Sequence, residues 1–445
     1  MHTLHIDRKT ITELELLESE PHRKSVFEMV NLTETSGGKD KLMRQFLKPE
    51  FDPDLVRQKH KAIKFILEHQ ADWELPLNQK LMDLVEYYYF LNIDPVISNF
   101  KIVNYFEGLR YWVMYRSYYK TFKEGIKNLY LLFRHLSKFY LKVRGSELPP
   151  FLKRIISQMG EILKEKFIRE ILENDDDDEA PGFLSIFTVD KAFREDHKAQ
   201  MAVLIDLIYE LDLVICMAKV HQKYDLQFPT FVESEKAVLE VEGLRHLFVK
   251  NCTPNDLKFG DHHFFMFVTG PNMAGKTTYL KAAGVAVFLA HLGFGVPARS
   301  MMLSGFDRIF SSINVSDNLS KGYSYFYSEV LRVKEAAQLL KKQKRNLFIF
   351  DELFRGTNVK DAFDGSLLVI RGFLNWNQSV FLLSSHLIEL AKELQEETGI
   401  QFNYFDSAVK EGKPVFSFNL KEGISDERLG LLILKNENID QLLNP

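Results

Sequence analysis

Residues 264–280 read FFMFVTGPNMAGKTTYL and decide the fold of the C-terminal half of the chain. Phe264–Val268 is a short apolar run of the kind that forms a buried central strand, and Gly270–Thr277 follows almost at once. These residues match the pattern G-x-x-x-x-G-K-[ST], and the helical stretch Thr278–Leu292 comes next. Both flanking elements of a phosphate-binding P-loop are therefore in place, and we predict that this segment forms one.

The loop residues are expected to surround the phosphates of a nucleotide. In such a loop the backbone N–H groups turn inward around the β-phosphate, and the helix N-terminus adds its positive dipole. The side chain of Lys276 would reach the β- and γ-phosphate oxygens, and the Thr277 hydroxyl would bind Mg²⁺. The residues predicted to bind the nucleotide are Gly270, Pro271, Asn272, Met273, Ala274, Gly275, Lys276, Thr277 and Thr278.

A second apolar run, Leu347–Phe350, ends in Asp351 and Glu352. Four apolar residues followed by an acid are typical of a Walker B strand, whose aspartate binds Mg²⁺ through water. We predict that Asp351 neutralises the metal charge and that Glu352 orients or deprotonates the attacking water. An adjacent Asp and Glu on their own would indicate only an exposed surface, and the P-loop upstream favours the functional interpretation.

Two further residues are candidates for contact with phosphate. The apolar run Val380–Leu383 leads to His386, and a histidine at the carboxyl end of a strand faces the nucleotide in an open α/β sheet. We predict that His386 senses the γ-phosphate, with a purely structural histidine as the alternative. Ser324 precedes a periodic helix from Tyr325 to about Leu340, where it would either cap the helix or offer its hydroxyl to a phosphate, not necessarily one bound by its own chain.

The two halves of the chain differ in their hydrophobic pattern. Up to about residue 230 apolar residues recur at three- and four-residue spacing, which indicates helices. After Phe228-Pro229 short β-rich runs alternate with helices, as in an α/β domain with a largely parallel sheet. We predict an α + α/β fold, with an all-helical domain at residues 1–230 and a P-loop α/β ATPase domain at residues 231–445.

Positive charge is concentrated in one segment of the helical half. The whole chain has a net charge of −4, whereas residues 101–170 hold 15 Lys and Arg against 6 Glu and no Asp. Six of these cations recur at helical spacing and share one stripe of a long helix. They are Arg116, Lys120, Lys123, Lys127, Arg134 and Lys138. The stripe indicates either the solvated face of an amphipathic helix or a platform for nucleic-acid phosphates.

Composition excludes several classes of protein. Hydrophobic residues at 46% and charged residues at 27% are ordinary for a globular protein and argue against disorder or a disulfide scaffold. The two cysteines, Cys216 and Cys252, are predicted to be thiols in a reducing cytosol, which indicates a cytoplasmic protein. The N-terminus lacks the pattern of a secretory signal, and the longest apolar stretch, residues 282–298, is shorter than the roughly 20 residues that span a bilayer. We therefore expect no association with a membrane.

These motifs together resemble the MutS family of DNA mismatch-repair ATPases, a branch of the ABC-type ATPases. The resemblance is carried by Thr269–Leu280, Gly295–Ala298, Ser316–Leu319, Ser324, Asp351–Thr357 and Ser385-His386. It implies ATP and Mg²⁺ as cofactors, DNA as a partner, and a role for Asn272 in positioning the phosphates. It also implies that two ATPase domains pair head to tail in a homodimer, so that Ser324 of one chain completes the site of the other.

The chain departs from the family pattern in ways that shape the functional prediction. Phe354 stands where the family usually has glycine, and the loop from Thr357 to Gly365 is longer than usual. The chain begins directly at the family's helical core, so we expect no mismatch-reading domain. One Phe-x-Glu triplet, Phe231–Glu233, lies in the linker to the ATPase domain, and we interpret it as coincidence. We therefore predict a DNA-binding ATPase for branched or structured DNA that couples hydrolysis to rearrangement of a dimer. The alternative is an ATP-switched interaction protein that never contacts DNA.

Overall fold

The computed structural model describes residues 2–19, 23–92, 100–173, 186–260, 262–313, 325–342, 344–410, 413–424 and 442. The chain forms two compact units. The sheet unit comprises residues 1–29, 45–56 and 221–445, and the helical unit comprises residues 30–44 and 57–220. The predicted domain boundary at residue 230 does not coincide with this division. Two N-terminal segments, residues 1–29 and 45–56, belong to the same unit as the C-terminal half.

The helices and strands are numbered in chain order. Among the described residues the helices are α1 (Arg8–Glu13), α2 (Val26–Val30), α3 (Ser36–Leu47), α4 (Pro53–Glu68), α5 (Gln79–Tyr89), α6 (Lys101–Met114), α7 (Arg116–Val143), α8 (Pro150–Leu163), α9 (Lys166–Glu173), α10 (Ile186–Lys191), α11 (Lys198–Lys223), α12 (Lys276–Leu292), α13 (Tyr325–Leu340), α14 (Val359–Phe373) and α15 (Ile388–Glu393). The strands are β1 (His2–Thr3), β2 (His5–Ile6), β3 (Glu50–Phe51), β4 (Thr230–Val232), β5 (Leu239–Leu244), β6 (Asn255–Phe259), β7 (Phe265–Thr269), β8 (Ser300–Ser304), β9 (Arg308–Ser312), β10 (Asn346–Asp351), β11 (Val380–Ser384), β12 (Ile400–Lys410) and β13 (Lys413–Glu422).

The main sheet of the sheet unit has the strand order β13-β12-β7-β11-β10-β9-β2. All neighbouring pairs are parallel except β12 with β13, so the sheet has the largely parallel character that the alternating pattern predicted. Asp351 pairs with Ser384, and Ser384 pairs with Val268. Because the strands are parallel, the carboxyl ends of β7, β10 and β11 meet at one edge, where ligands bind in open α/β sheets.

Phenylalanine rings fill the core beside this sheet. The chain has 37 phenylalanines, and several of them stack across neighbouring strands. The ring of Phe381 on β11 lies 5.2 Å from Phe348 on β10 and 5.0 Å from Phe373 on α14, centroid to centroid. The strands β7, β10 and β11 are buried along their whole length, which is why they read as continuous apolar runs rather than as alternating ones. Helix α12 is likewise buried on nearly all sides.

The N-terminal segment takes part in the same unit through backbone pairing. His5 and Ile6 of β2 pair in parallel with Arg308 and Ile309 of β9, at the edge of the main sheet. β1 pairs with β3, and a separate four-stranded sheet has the order β4-β8-β5-β6. The Asp7 side chain accepts a hydrogen bond from the backbone N–H of Thr10 and so caps α1. Residues near the start of the chain are thereby held against the main sheet.

The helical unit is organised around α7, a helix of 28 residues. The long helix predicted to carry the basic stripe is confirmed, and its apolar stripe faces inward. The buried members are Phe122, Ile126, Leu129, Phe133 and Leu136. Arg116, Lys120, Lys123, Lys127 and Lys138 are exposed, and Arg134 is half-buried. Among the described residues, none of the helices combines the length and apolarity needed to cross a lipid bilayer.

Candidate nucleotide-binding site

The loop after β7 has the backbone geometry of a phosphate-binding loop. Gly270 and Gly275 adopt positive φ angles of 138° and 107°, which residues with a side chain rarely adopt. A Cβ at Gly270 would lie 3.3 Å from the Cβ of Phe405 on β12, so the loop passes very close to the neighbouring strand. The non-glycine Met273 also has a positive φ, of 69°. The chain thus turns sharply before α12 begins at Lys276, and the helix N-terminus points at the loop.

Lys276 is buried, and its ammonium group lies over the loop. Its Nζ donates to the carbonyl oxygens of Gly270 at 2.7 Å and Pro271 at 3.2 Å. Burial lowers the pKa of Lys276, and the carboxylates of Glu352 and Asp351 oppose part of that shift. The lysine is therefore positioned inside the loop, and its donors are occupied by carbonyl groups that a phosphate could displace.

Thr277 and Asp351 are directly connected. The Thr277 hydroxyl donates to Oδ2 of Asp351 at 2.7 Å, and the Ser384 hydroxyl donates to the other carboxylate oxygen. Asp351 is buried, at 4% exposure. A hydroxyl and a carboxylate, both oxygen ligands and adjacent to the phosphate loop, are the donor set that Mg²⁺ prefers. The residues present therefore fit the magnesium site that the sequence predicted for this pair.

Glu352 is held by two basic side chains at the end of β10. Its Oε2 lies 2.9 Å from Nδ1 of His386 and 2.8 Å from Nε of Arg355. Burial alone would raise the pKa of Glu352, but the hydrogen bond from His386 and the charges of Arg355 and Lys276 outweigh it, so that the pKa lies below its ordinary value. The side chain is a carboxylate at neutral pH and has a fixed orientation. The structure thus brings Glu352 and His386 together.

Arg355 is a site residue to which sequence reasoning assigned no role. Besides its bond to Glu352, its Nη2 lies 3.3 Å from Oδ2 of Asp351, so one guanidinium contacts both predicted acidic residues. Its side chain is 34% exposed and lines the same cavity as the P-loop. Arg355 follows Glu352 by three residues and Asp351 by four. This spacing could have indicated the contacts only if the turn after β10 had been known.

A cavity of about 630 Å³ connects Lys276, Thr277, Asp351, Glu352 and Arg355, whereas His386 contacts Glu352 without being among the lining residues. This volume lies in the range of small-molecule sites. Pro271, Asn272, Met273, Gly275, Lys276, Thr277 and Thr278 line it from the loop and α12, together with Asp351, Glu352 and Arg355. Of the other predicted loop residues, Gly270 binds Lys276 through its carbonyl and Ala274 is buried beneath the loop.

Other parts of the cavity wall are formed by residues that the sequence did not single out as ligands. His246, Val249, Phe405 and Phe418 line it, and the Phe418 ring lies beside Gly275 of the loop. Asn255 fixes the part of the wall around Phe418, because its side-chain amide donates to the Phe418 carbonyl at 2.9 Å and accepts from the Leu420 N–H at 2.7 Å. No local pattern marks Phe418, since its place beside the loop depends on the pairing of β12 with β13.

Two sets of predicted residues are not part of this arrangement. Ser324 and the residues 316–319 of the family resemblance lie outside the described residues. The six basic residues of α7 belong to the helical unit and are not in the cavity lining. The roles assigned to both sets stay predictions.

Comparison with known proteins indicates the same family as the sequence motifs do. Residues 266–442 match the family described as MutS domain V. The DNA mismatch repair protein MutS of Staphylococcus haemolyticus is 28% identical over 342 residues, which cover 72% of this chain and 38% of that protein. The corresponding protein of Chlamydia muridarum is 30% identical over 329 residues, covering 70% of this chain and 39% of its own length.

The matches cover most of this chain and a minor part of each relative. The MutS protein of Lactococcus lactis subsp. cremoris is 27% identical over 334 residues, again covering 72% of this chain and only 39% of the relative. The chain therefore spans about two fifths of the length of these relatives. The match to domain V, the similarity over most of the chain, and the convergence of the loop, Asp351, Glu352 and His386 agree with one another, and the chain belongs to the MutS family.

Proposed function

We propose that this protein is a Mg²⁺-dependent ATPase of the MutS type. One observation carries the proposal: a buried lysine in a P-loop, a threonine–aspartate pair and an oriented glutamate line the same cavity. Each of these groups has a defined task in transfer of a γ-phosphoryl group to water. Phe405 and Phe418 also line the cavity beside the loop, and their rings suit the base of a nucleotide.

The binding step follows from the contacts of Lys276. In the structure its ammonium donates to the loop carbonyls of Gly270 and Pro271. Phosphate oxygens are stronger acceptors than neutral carbonyls, so the lysine would exchange these bonds for bonds to the β- and γ-phosphates. Thr277 and Asp351 would hold Mg²⁺, which supplies positive charge to the phosphates when bound.

The hydrolytic step is assigned to Glu352. Its lowered pKa keeps it ionised, and His386 and Arg355 fix its orientation, so it can accept a hydrogen bond from an attacking water and align that water with the γ-phosphorus. His386 is 55% exposed, which leaves its ring accessible to a bound phosphate. Lys276 would stabilise the negative charge that develops on the transferred group.

ATP binding and turnover by single variants test this assignment. We expect Lys276→Ala to abolish binding of ATP, because the loop loses the buried cation that lines the cavity. Glu352→Gln should bind ATP normally and hydrolyse it at least about 100-fold more slowly, since removal of a general base typically costs that much. Equilibrium binding of a fluorescent ATP analogue and steady-state phosphate release measure the two effects.

The control for this test is Glu393→Gln on α15, whose carboxylate is exposed and pairs at 3.7 Å with Arg371. It should match the wild type in both assays. Normal turnover by Glu352→Gln would remove Glu352 from its role.

We further propose that the helical unit binds DNA through the basic stripe of α7. The relatives are DNA mismatch repair proteins by name. The stripe presents cations on one side of a helix whose opposite side is buried. Lysines and arginines spaced along a helix in this way suit contacts with phosphates, which fix a protein on nucleic acid without reading its sequence. This supports recognition of branched or structured DNA by its backbone rather than recognition of a mismatch.

The rival proposal is an ATP-switched interaction protein that does not bind DNA, and the stripe discriminates between the two. Under the DNA proposal, the gel shift of DNA is salt-sensitive, because contacts between these cations and phosphates release condensed counterions. Reversal of Arg116, Lys120, Lys123 and Lys127 to Glu then abolishes the shift. Homoduplex, mismatched and four-way-junction DNA should be compared with and without ATP.

Reversal of Lys153, Arg154, Lys164 and Lys166 to Glu makes the same change in net charge at exposed positions outside the stripe. This control should leave the shift largely intact. Absence of binding to any of the three DNAs at low salt would favour the rival proposal.

A further inference from the structure

Helix α6 of the helical unit presents its apolar side to solvent. Gly108 is buried and Tyr111 is half-buried, and the Tyr111 ring contacts Phe122 and Phe187 at centroid distances of 6.0 and 5.7 Å. The outer side is apolar: Ile102, Val103, Tyr105, Phe106, Leu109, Trp112, Val113 and Met114 are all exposed. A surface helix of a soluble protein normally buries its apolar side. This helix therefore has an apolar side that requires a partner.

The exposed area is large enough to form a stable interface. Phe100, Tyr115 and Tyr118 extend the patch beyond the ends of α6. With aromatic side chains of about 200 Å² each, the exposed parts of the six aromatic residues add to roughly 600 Å². The aliphatic residues raise the total to roughly 1,000 Å², above the largest patch on a typical monomer and near the 800 Å² or so that each partner buries in a standard protein interface.

The spacing within the patch indicates what kind of surface covers it. Its most central residues are Ile102, Phe106, Leu109 and Val113, at 73%, 62%, 40% and 63% exposure. They recur at intervals of four, three and four residues, the repeat with which one helix packs along another. The row fits the seam of a second helix, and the area of the patch fits a protein partner. We call this central row the α6 seam, and it contains no charged residue.

We propose that the α6 seam pairs with the α6 seam of a second copy of this chain, with the two helices antiparallel. A seam that is apolar along its length is complementary to itself, as an interface with twofold symmetry requires. The orientation follows from charge, because Arg116 lies two residues beyond the end of α6 and is followed on α7 by Lys120 and Lys123. Antiparallel pairing places the two Arg116 residues about 25 Å apart along the helix axis, beyond the Debye length at physiological salt, whereas parallel pairing brings them together.

The oligomeric state of the full chain without nucleotide tests this pairing. Sedimentation velocity should show a concentration-dependent dimer, and Phe106→Ser or Val113→Ser should weaken it roughly 30-fold, as loss of a central apolar contact does at protein interfaces. Leu131→Ser on α7 and Leu368→Ser on α14, both exposed leucines outside the patch, are the matched controls and should leave the dimer unchanged. Because the substituted residues are exposed, all four variants should fold and retain ATP binding.

Single cysteines identify the surface directly, in a Cys252→Ser background that leaves the buried Cys216 as the native thiol. Leu109→Cys, near the middle of the seam, should cross-link two chains efficiently with a short bifunctional thiol reagent. Ile102→Cys should not, because antiparallel pairing places the two copies of residue 102 about 16 Å apart along the helix. Equal cross-linking at both positions would overturn the antiparallel orientation.

Two outcomes would overturn the proposal as a whole. One is that the wild-type chain remains monomeric and that, at the same concentrations, the Leu109→Cys chain gives no cross-link. The other is that the chain binds phosphatidylglycerol vesicles or DNA and that Phe106→Ser abolishes this binding but leaves any dimer unaffected. Both are independent of the proposed ATPase site, since none of the substituted residues of α6, α7 and α14 lines its cavity, and Cys252, which does line it, is replaced only in the cross-linking background.

Discussion

Phe354 is held in a backbone conformation that glycine adopts most easily. Its φ is 59°, in the left-handed region, which costs a bulky residue about 1–3 kcal/mol. Its ring is buried, lies 5.7 Å from the Phe326 ring and rests against Gly365. Burial of an aromatic side chain contributes about 2–3 kcal/mol, enough to offset that strain. The sequence showed the departure from the family's glycine, and the structure gives the reason that it is tolerated.

The candidate site divides into residues that local sequence predicts and residues that it does not. Lys276 and Thr277 follow soon after β7, and Asp351 and Glu352 lie at the end of β10, so motif and flanking pattern were sufficient to predict their place. Phe418 reaches the cavity only because β13 pairs with β12, far from the loop in sequence. Contacts that depend on long-range pairing leave no local signal.

His246 gives a prediction about the pH dependence of stability. Burial, aided by the positive charge of Lys281, lowers its pKa to about 4. The backbone N–H of Phe248 donates to its Nδ1 at 3.3 Å, a bond that this nitrogen can accept only when it carries no proton. The unfolded chain therefore binds a proton between about pH 6.5 and pH 4 that the folded chain does not. The free energy of unfolding should fall as the pH is lowered across this window, by up to about 3 kcal/mol from this group.

Urea unfolding of the sheet unit at a series of pH values measures this contribution. Trp376 is the tryptophan of that unit, and a Trp73→Phe, Trp112→Phe background makes it the fluorescence reporter. His246→Gln should show a clearly shallower loss of stability between about pH 6.5 and pH 4 than the parent. His262→Gln, an exposed histidine of the same unit, is the control. Identical slopes for parent and His246→Gln would contradict the assignment.

Arg332 joins three elements, α13, β9 and the N-terminal segment. Its guanidinium donates to Asp7 at 3.0 and 3.1 Å and to the Ser311 carbonyl at 2.9 Å, and it lies 3.6 Å above the Phe310 ring. The side chain is only 5% exposed. Arg332→Met should lower the free energy of unfolding of the sheet unit by about 3 kcal/mol, because a largely buried carboxylate and a carbonyl lose their donor.

Two comparisons separate the specific contacts of Arg332 from loss of charge in general. Arg332→Lys keeps the charge but not the forked geometry, and should give an intermediate loss. Arg371→Met removes an arginine that is 47% exposed and pairs with Glu397 at 2.8 Å, and should cost less than about 1 kcal/mol. The same Trp376 fluorescence assay applies. Equal losses for Arg332→Met and Arg371→Met would show that the buried network contributes nothing beyond a surface ion pair.

The two helices around Tyr115 show what periodicity can and cannot predict. For α7 the sequence predicted an apolar stripe and a basic stripe, and the structure buries the first and largely exposes the second. For α6 the same kind of pattern exists with the apolar side exposed. Periodicity identifies the sides of a helix, but which side is covered depends on its neighbours in the fold.

The two units of the molecule are not contiguous in sequence. The change of pattern near residue 230 marks where strands begin to dominate, but the sheet unit also contains residues 1–29 and 45–56. Pairing of β2 with β9 connects residues about 300 positions apart, and strands of two residues are too short to show an alternating pattern. The parallel character of the main sheet was predictable, whereas this edge pairing was not.

A head-to-tail dimer of the whole ATPase predicts how two inactive chains behave when they are mixed. By the family resemblance, each site uses Lys276 of one chain and Ser324 of the other. Lys276→Ala and Ser324→Ala chains should each be inactive alone. A dimer that contains one of each keeps one intact site, because the Ser324→Ala chain retains its lysine and receives the serine of its partner. Random pairing of equal amounts makes about half of the dimers mixed, so phosphate release should recover to about one quarter of the wild-type rate per chain.

A second mixture, of Lys276→Ala with Glu352→Gln, is the control for this recovery. Lys276 and Glu352 line the same cavity of one chain, so in a mixed dimer each of the two cavities lacks one of its own residues. Exchange of Ser324 between chains repairs neither cavity, and this mixture should stay inactive. Recovery in the first mixture alone therefore requires that Ser324 acts across the dimer. If Ser324 served the site of its own chain, each mixed dimer would hold two damaged sites, and neither mixture would release phosphate.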